Sequence, residues 1–173
     1  MECYFAGGCF WCITPVFYDI DGVEKVISGF SGGDEVNPTY DDVKHQHTNH
    51  RETIKIIYDE NKVSYKELLE CFLTHVDLFD GEGQYIDRGR SYTLAVYYLN
   101  EKEKVETINR VKEIEAMVGK KTFISIEPFK SFYEADSFHQ DYYKKNPIEF
   151  EKELVESGRR KEWKKQKCFS QKK

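Results

Sequence analysis

Tyr4-Phe5-Ala6-Gly7-Gly8-Cys9-Phe10-Trp11-Cys12 is the stretch from which the fold and the chemistry of the chain are read. Three residues of strand character run into two glycines, which permit a tight strand-to-helix turn where a side chain would clash. Cys9 then opens a helix. A cysteine in the first helical turn faces unsatisfied backbone N–H groups and the positive end of the helix dipole, and both favour thiolate over thiol. Phe10 and Trp11 follow as an apolar wall suited to a substrate that presents a methyl group. Cys12 lies one turn on, where it can attack an oxidised Cys9 sulfur.

Outward from this stretch, the helix is expected to reach about Tyr18 and to stop at Asp21-Gly22. Val23, Val26, Ile27 and Phe30 mark a second strand ending in Gly32-Gly33. A long polar loop, Asp34 to Arg51, carries Asn37-Pro38-Thr39-Tyr40 and His45, His47 and His50, and its length points to a binding role. Residues 52–58 alternate as a strand. Ser64 and Glu67 form a capping box before a helix over 65–75, which carries Cys71. After an irregular stretch from Asp80 to Ser91, Tyr92–Leu99 reads as an apolar interior strand. Asn100 caps the longest helix, whose apolar face is Val105, Ile108, Val111, Ile114 and Val118, with Gly119 as its stop. Ile124 and Ile126 mark another strand, 134–145 a helix ending before Pro147, and 149–167 a basic helix or tail. The order β-α-β-β-α-β-α-β-α predicts a two-layer α+β sandwich with a mixed sheet and a ferredoxin-like core. Residues 1–147 form the catalytic part and 148–173 a basic tail of the same single domain.

The 173 residues are enough for one core, and 39% hydrophobic with 33% charged residues is an ordinary globular composition. No secretory signal opens the chain and no segment is apolar enough to span a membrane, so the expected compartment is the cytoplasm. There the five cysteines are reduced, and an odd number is a poor disulfide framework. Residues 144–173 hold 11 Lys and Arg against 5 Glu, a charge of +6, so the net charge of −5 leaves −11 on an acidic body, residues 1–143. Interspersed glutamates make this tail a solvated terminal helix rather than a nucleic-acid or membrane contact. The histidines of the loop have no cysteine or carboxylate at ligand spacing, and no metal or cofactor is expected.

Gly7-Gly8-Cys9-Phe10-Trp11 resembles the signature of the peptide methionine sulfoxide reductases of type A. Further blocks follow in the same order: Asn37-Pro38-Thr39-Tyr40, His50-x-Glu52, Asp87-Arg88-Gly89-x-Ser91-Tyr92, Tyr133-x-Ala135, and His139-Gln140-Asp141-Tyr142-Tyr143. The resemblance implies repair of oxidised methionine, with selectivity for the S epimer of the sulfoxide. It implies that Cys9 is the nucleophile and Glu52 the acid that protonates the sulfoxide oxygen. Tyr40 and Tyr92 then hydrogen-bond that oxygen, Asp87 organises the polar side, Phe10 and Trp11 hold the S-methyl group, and His50 supports the structure. Methionine leaves and Cys9 becomes a sulfenic acid, which condenses with a second thiol. Cys12 is favoured for that step because its separation is short and fixed, and Cys168 in the Lys-rich tail is the alternative. Cys3 and Cys71 read as structural. Thioredoxin or a similar dithiol is the implied reductant. Thr14-Pro15 departs from many relatives and predicts a kink or a later helix start. The rival readings are a thioredoxin-type C-x-x-C oxidoreductase and a redox sensor without turnover.

Overall fold

The interior strand of the sheet begins almost at the N-terminus. In the computed structural model, which describes residues 1–163, Glu2–Gly7 (β1) is buried along nearly its whole length. Cys3 and Phe5 face one side, against Phe17 and Phe72, while Tyr4 and Ala6 face the other, against Tyr97, Phe129 and Phe132. A strand covered on both faces reads as a continuous apolar run, because neither set of alternating side chains meets water. Around it lie Val23–Ser31 (β2), Arg51–Tyr58 (β3), Leu94–Tyr98 (β6), Ser125–Pro128 (β7) and Phe132–Glu134 (β8) in the order β7-β6-β1-β3-β2-β8. Only β6 with β7 is parallel; the other four pairings are antiparallel. The strands β6-β1-β3-β2, with Phe10–Tyr18 (α1) and Tyr65–Thr74 (α3) as crossovers, form the expected ferredoxin-like core of an α+β fold. Phe5 stacks on Phe72 at 4.7 Å, which joins sheet to helix at the centre of that core.

Several elements differ from the sequence expectation, each for a local reason. The helix expected over 134–145 is instead the edge strand β8, a 3-10 turn at Ser137–His139 and the short helix Tyr142–Lys145 (α5). Gln140 clamps the backbone of β2, accepting from Ser28 N at 2.9 Å and donating to Ser28 O at 2.8 Å, and Asp141 at φ 52 breaks any continuous helix. Tyr92 leaves the strand assigned to it and closes a 3-10 turn over Arg90–Tyr92. The loop after β2 contains a helix, Tyr40–Lys44 (α2), started by a capping box of Thr39 and Asp42. The irregular stretch contains a two-stranded ribbon of Gly83–Gln84 (β4) and Asp87–Arg88 (β5).

On Glu101–Val118 (α4) the buried face is Glu103, Thr107 and Val111, and Val105 and Val118 are exposed. Glu103 caps Leu99 N at 2.8 Å and Thr107 hydrogen-bonds the Tyr65 hydroxyl at 2.8 Å, so polar groups occupy a stripe that an apolar count passes over. The C-terminal segment is two helices, Pro147–Glu156 (α6) and Arg159–Trp163 (α7), and not a solvated helix: Phe150, Leu154 and Arg159 are buried. Gly158 at φ +81 makes the break between them. Among the described residues no helix is long and apolar enough to cross a membrane.

Candidate active site

Cys9 is the N-cap of α1, with φ −56 and ψ 118, and Phe10 is its first helical residue. The turn before it requires glycine: Gly8 stands at φ +85, and a Cβ there meets the Cβ of Gln84 at 2.7 Å. Cys12 N and Ile13 N bond the Cys9 carbonyl at 3.1 and 3.2 Å, which closes the first turn. Pro15 is accommodated inside a helix that runs unbroken to Tyr18, with the Thr14 hydroxyl donating to Phe10 O at 2.6 Å.

The free N–H of Phe10 does not serve the sulfur. It donates to Glu52 Oε2 at 3.0 Å. The Cys9 thiol is buried, and a hydrogen bond with Cys12, burial, and the negative field of Glu52 and Asp87 push it well above the usual thiol range. This corrects the expectation of a resting thiolate: the helix end favours ionisation, but a dry site with acidic neighbours and a sulfur partner outweighs half a dipole charge.

Glu52 faces Cys9 from β3, paired across the sheet with Phe30 and 1% exposed. Burial raises its carboxyl to about 8, against the lowering effect of the Phe10 N–H, so at neutral pH it holds a proton to give. Tyr40 starts α2 and Tyr92 ends its 3-10 turn; burial and the charge of Glu52 raise both phenols, and both also feel Cys9. Gln46 fixes the turn that carries Tyr92, accepting from Ser91 N at 3.0 Å and donating to Ser91 Oγ at 2.7 Å. Cys9, Glu52, Tyr40, Tyr92 and Asp87 are thus mutually within electrostatic reach.

The apolar wall divides. Phe10 is wholly buried, 5.8 Å from Phe30 and 6.1 Å from Tyr40 between ring centres. Trp11 is half-buried and lies flat on Tyr142, 4.0 Å between centres and 9° between planes. Its indole N–H donates to His139 Nδ1 at 3.2 Å, and His139 in turn lies 4.1 Å from Tyr40. A groove of about 410 Å3 beside Tyr40 is lined by Asn37, Pro38, Phe132 and Tyr133 and does not include Cys9.

What covers Cys9 is the C-terminal segment. Phe150 and Leu154 pack against Cys9 and Cys12. A carboxylate oxygen of Glu153 and the two sulfurs all lie within 4.8 Å of one another. Arg159, 2% exposed, donates to Asp87 Oδ2 at 2.9 Å and to Gln84 O at 3.4 Å, and its guanidinium lies 4.7 Å from the centre of the Tyr85 ring. None of Phe150, Glu153, Leu154 and Arg159 stood out in the sequence. The signal was the i, i+4 pair Phe150 and Leu154 followed by Gly158. His50 is buried between Gly33 N, which donates to its Nδ1 at 3.2 Å, and Glu35 O at 2.8 Å from its Nε2; His45 and His47 are exposed. Cys3 and Cys71 are core residues, and Cys168 lies outside the described residues.

A family model described as peptide methionine sulfoxide reductase matches residues 1–172. A peptide methionine sulfoxide reductase MsrA of Picrophilus torridus is 43% identical over 147 residues, 84% of this chain and 82% of that protein. One of Bacillus subtilis is 40% identical over 157 residues, covering 90% and 89%. Among solved structures, Mxr1 of Saccharomyces cerevisiae in its reduced form superposes with a TM-score of 0.80 at 26% identity, covering 86% of each chain. Methionine sulfoxide reductase A of Corynebacterium diphtheriae superposes with a TM-score of 0.77 at 27% identity, covering 85% of this chain and 75% of that one.

Proposed function

Since the chain belongs to the peptide methionine sulfoxide reductase family, type A, we propose that it reduces methionine S-sulfoxide, free or in proteins, with Cys9 as nucleophile and Glu52 as acid. The observation that carries this reading is the contact between the Glu52 carboxyl and the N–H of Phe10, the residue next to Cys9. It sets a proton donor beside the sulfur that attacks.

The sequence of events follows from the charges. Glu52 protonates the sulfoxide oxygen, aided by the Tyr40 and Tyr92 hydroxyls, and the sulfur becomes electrophilic. Cys9 sulfur attacks as its proton passes to the Glu52 carboxylate. Oxygen transfers to Cys9, methionine departs as the thioether, and Cys9 is left as sulfenic acid. Cys12, whose sulfur lies within 4.8 Å of the Cys9 sulfur, displaces the hydroxyl to give a disulfide. Asp87, held by Arg159, fixes the polar side, and Trp11 offers the apolar face for the methyl group. The site lies under α6 and α7, so residues 148–163 act as one body with 1–147. The chain acts in the cytoplasm. The structure of Mxr1 in complex with Trx2 supports thioredoxin as the reductant of the disulfide.

The test supplies S and R sulfoxides separately with dithiothreitol. Turnover of S, its loss in Cys9→Ser, and a fall of about 10²-fold or more in Glu52→Gln are expected. Turnover of R alone, or full activity in Cys9→Ser, rules the proposal out.

A further inference from the structure

We propose that Glu153, on α6, is the proton acceptor of the disulfide-forming step, taking the Cys12 thiol proton as Cys12 attacks oxidised Cys9. The role rests on the reading that Cys12 resolves the sulfenic acid.

Three observations carry it. Glu153 is the carboxylate that joins both sulfurs within 4.8 Å, whereas Glu52 is fastened to the Phe10 N–H and is not a member of that trio. Its helix is held down over the thiols by Phe150, three residues before Glu153, and by Leu154, the residue after it, so the carboxylate is delivered by a packed element. It is also partly withdrawn from water, and burial with the charge of Asp87 raises its affinity for a proton against the lowering effect of Arg159.

Two thiols and a carboxylate at this spacing are also a donor set for a thiophilic dication. Arg159 decides between the two. Its guanidinium is buried within electrostatic reach of both sulfurs, where it opposes a second positive charge. The cluster is built to move a proton. In the step, the Cys12 S–H bond breaks and its proton goes to Glu153. The S–S bond forms, the Cys9 S–O bond breaks, and the departing hydroxide takes the proton back as water. Cys12 is oxidised and Cys9 reduced to the disulfide level, so no further reagent enters.

The experiment is a single turnover of the full chain with methionine S-sulfoxide and no reductant, quenched at intervals. Released methionine reports the first step; free thiols and dimedone-trapped sulfenic acid report the second. In Glu153→Gln the rate of disulfide formation relative to methionine release is expected to fall about 10²-fold, with sulfenic acid accumulating, and Glu153→Asp to restore part of it. In the wild-type chain disulfide formation slows as pH falls through the Glu153 titration, and the Gln variant lacks that limb. An unchanged ratio in Glu153→Gln, or a lowered ratio with the pH limb intact, overturns the role. A new disulfide in Cys12→Ser also overturns it, because another thiol then resolves Cys9. Absence of methionine release from the wild-type chain overturns the reaction itself, which is a separate result.

Discussion

Glu52 couples the chemistry to the stability of the fold through one proton. Its carboxyl is raised from 4.5 to about 8 by burial, so between those values the folded chain holds a proton that the unfolded chain has released. Stability from this group is therefore full below about 4.5 and is lost as pH rises through about 8, with a slope of up to ~1.4 kcal/mol per pH unit. Urea unfolding at pH 5.5 and 7.5 is expected to show a smaller drop in Glu52→Gln than in the wild-type chain; equal drops would place the proton elsewhere. Reduction of sulfoxide in a single turnover falls over the same upper range, as the acid is lost. Cys9 was legible in the sequence because its signal is local, a double glycine before a helix, whereas Glu52 was singled out through the resemblance of His50-x-Glu52 to a family block, since an acid at a strand end alone reads as a surface charge. The protonation state of Cys9 was not legible, because besides Cys12 it depends on burial and on Glu52 and Asp87 converging from two other places in the chain. The glycine has its own consequence. Gly8→Ala places a Cβ at φ +85 against Gln84, and a loss of about 1–2 kcal/mol from the backbone alone is expected in denaturant titration.

Among the elements, α6 governs access to the sulfur. Cys9 is only 5% exposed, and Phe150 and Leu154 are what cover it. Trp163 anchors the far end of the segment, its indole N–H donating to His75 O at 3.2 Å. Leu154→Ala removes a buried side chain at a cost of about 2–5 kcal/mol. That cost falls on the docking of α6 and α7 while the sheet and α1 keep their own contacts. Alkylation of the Cys9 thiol by iodoacetamide is accordingly expected to speed up in Leu154→Ala at temperatures where the far-ultraviolet circular dichroism is unchanged. An unchanged rate would mean that the segment does not shield the thiol. The sequence hid this element because eleven basic residues in the last thirty dominate its character, and two apolar side chains four apart are a weak stripe. The same competition misplaced the face of α4, where Glu103 and Thr107 are buried through hydrogen bonds that no hydropathy pattern records.

At the scale of the whole molecule, strand alternation sorts two adjacent residues of β3 into different tasks. Glu52 points to the helical layer, where it meets the N–H of Phe10 beside Cys9, and Arg51 points to the opposite face of the sheet. There Arg51 donates to Thr93 Oγ1 at 2.9 Å, the Tyr97 hydroxyl at 3.0 Å and Glu127 Oε1 at 2.8 Å, so one side chain ties β3 to β6 and to the parallel edge strand β7. Apolar patterning marked five of the six strands of the sheet, but it says nothing about polar ties between strands distant in sequence, and Arg51 read only as the end of a loop. Arg51 is 3% exposed, so deleting it removes a buried cation and leaves Glu127, 29% exposed, with Ser125 Oγ and the Tyr97 hydroxyl with Ser31 O as their hydrogen-bond partners. Arg51→Ala is therefore expected to lower unfolding stability by about 1.5–3 kcal/mol, as for the loss of charge-assisted hydrogen bonds whose remaining partner is partly solvated. Glu127→Gln, which keeps an oxygen acceptor at the edge, costs less. Because Arg51 precedes the acid on the same strand, the residual folded fraction of Arg51→Ala is also expected to reduce sulfoxide more slowly per folded molecule. A loss below 1 kcal/mol with unchanged specific activity would show that β7 is held by its backbone ladder alone.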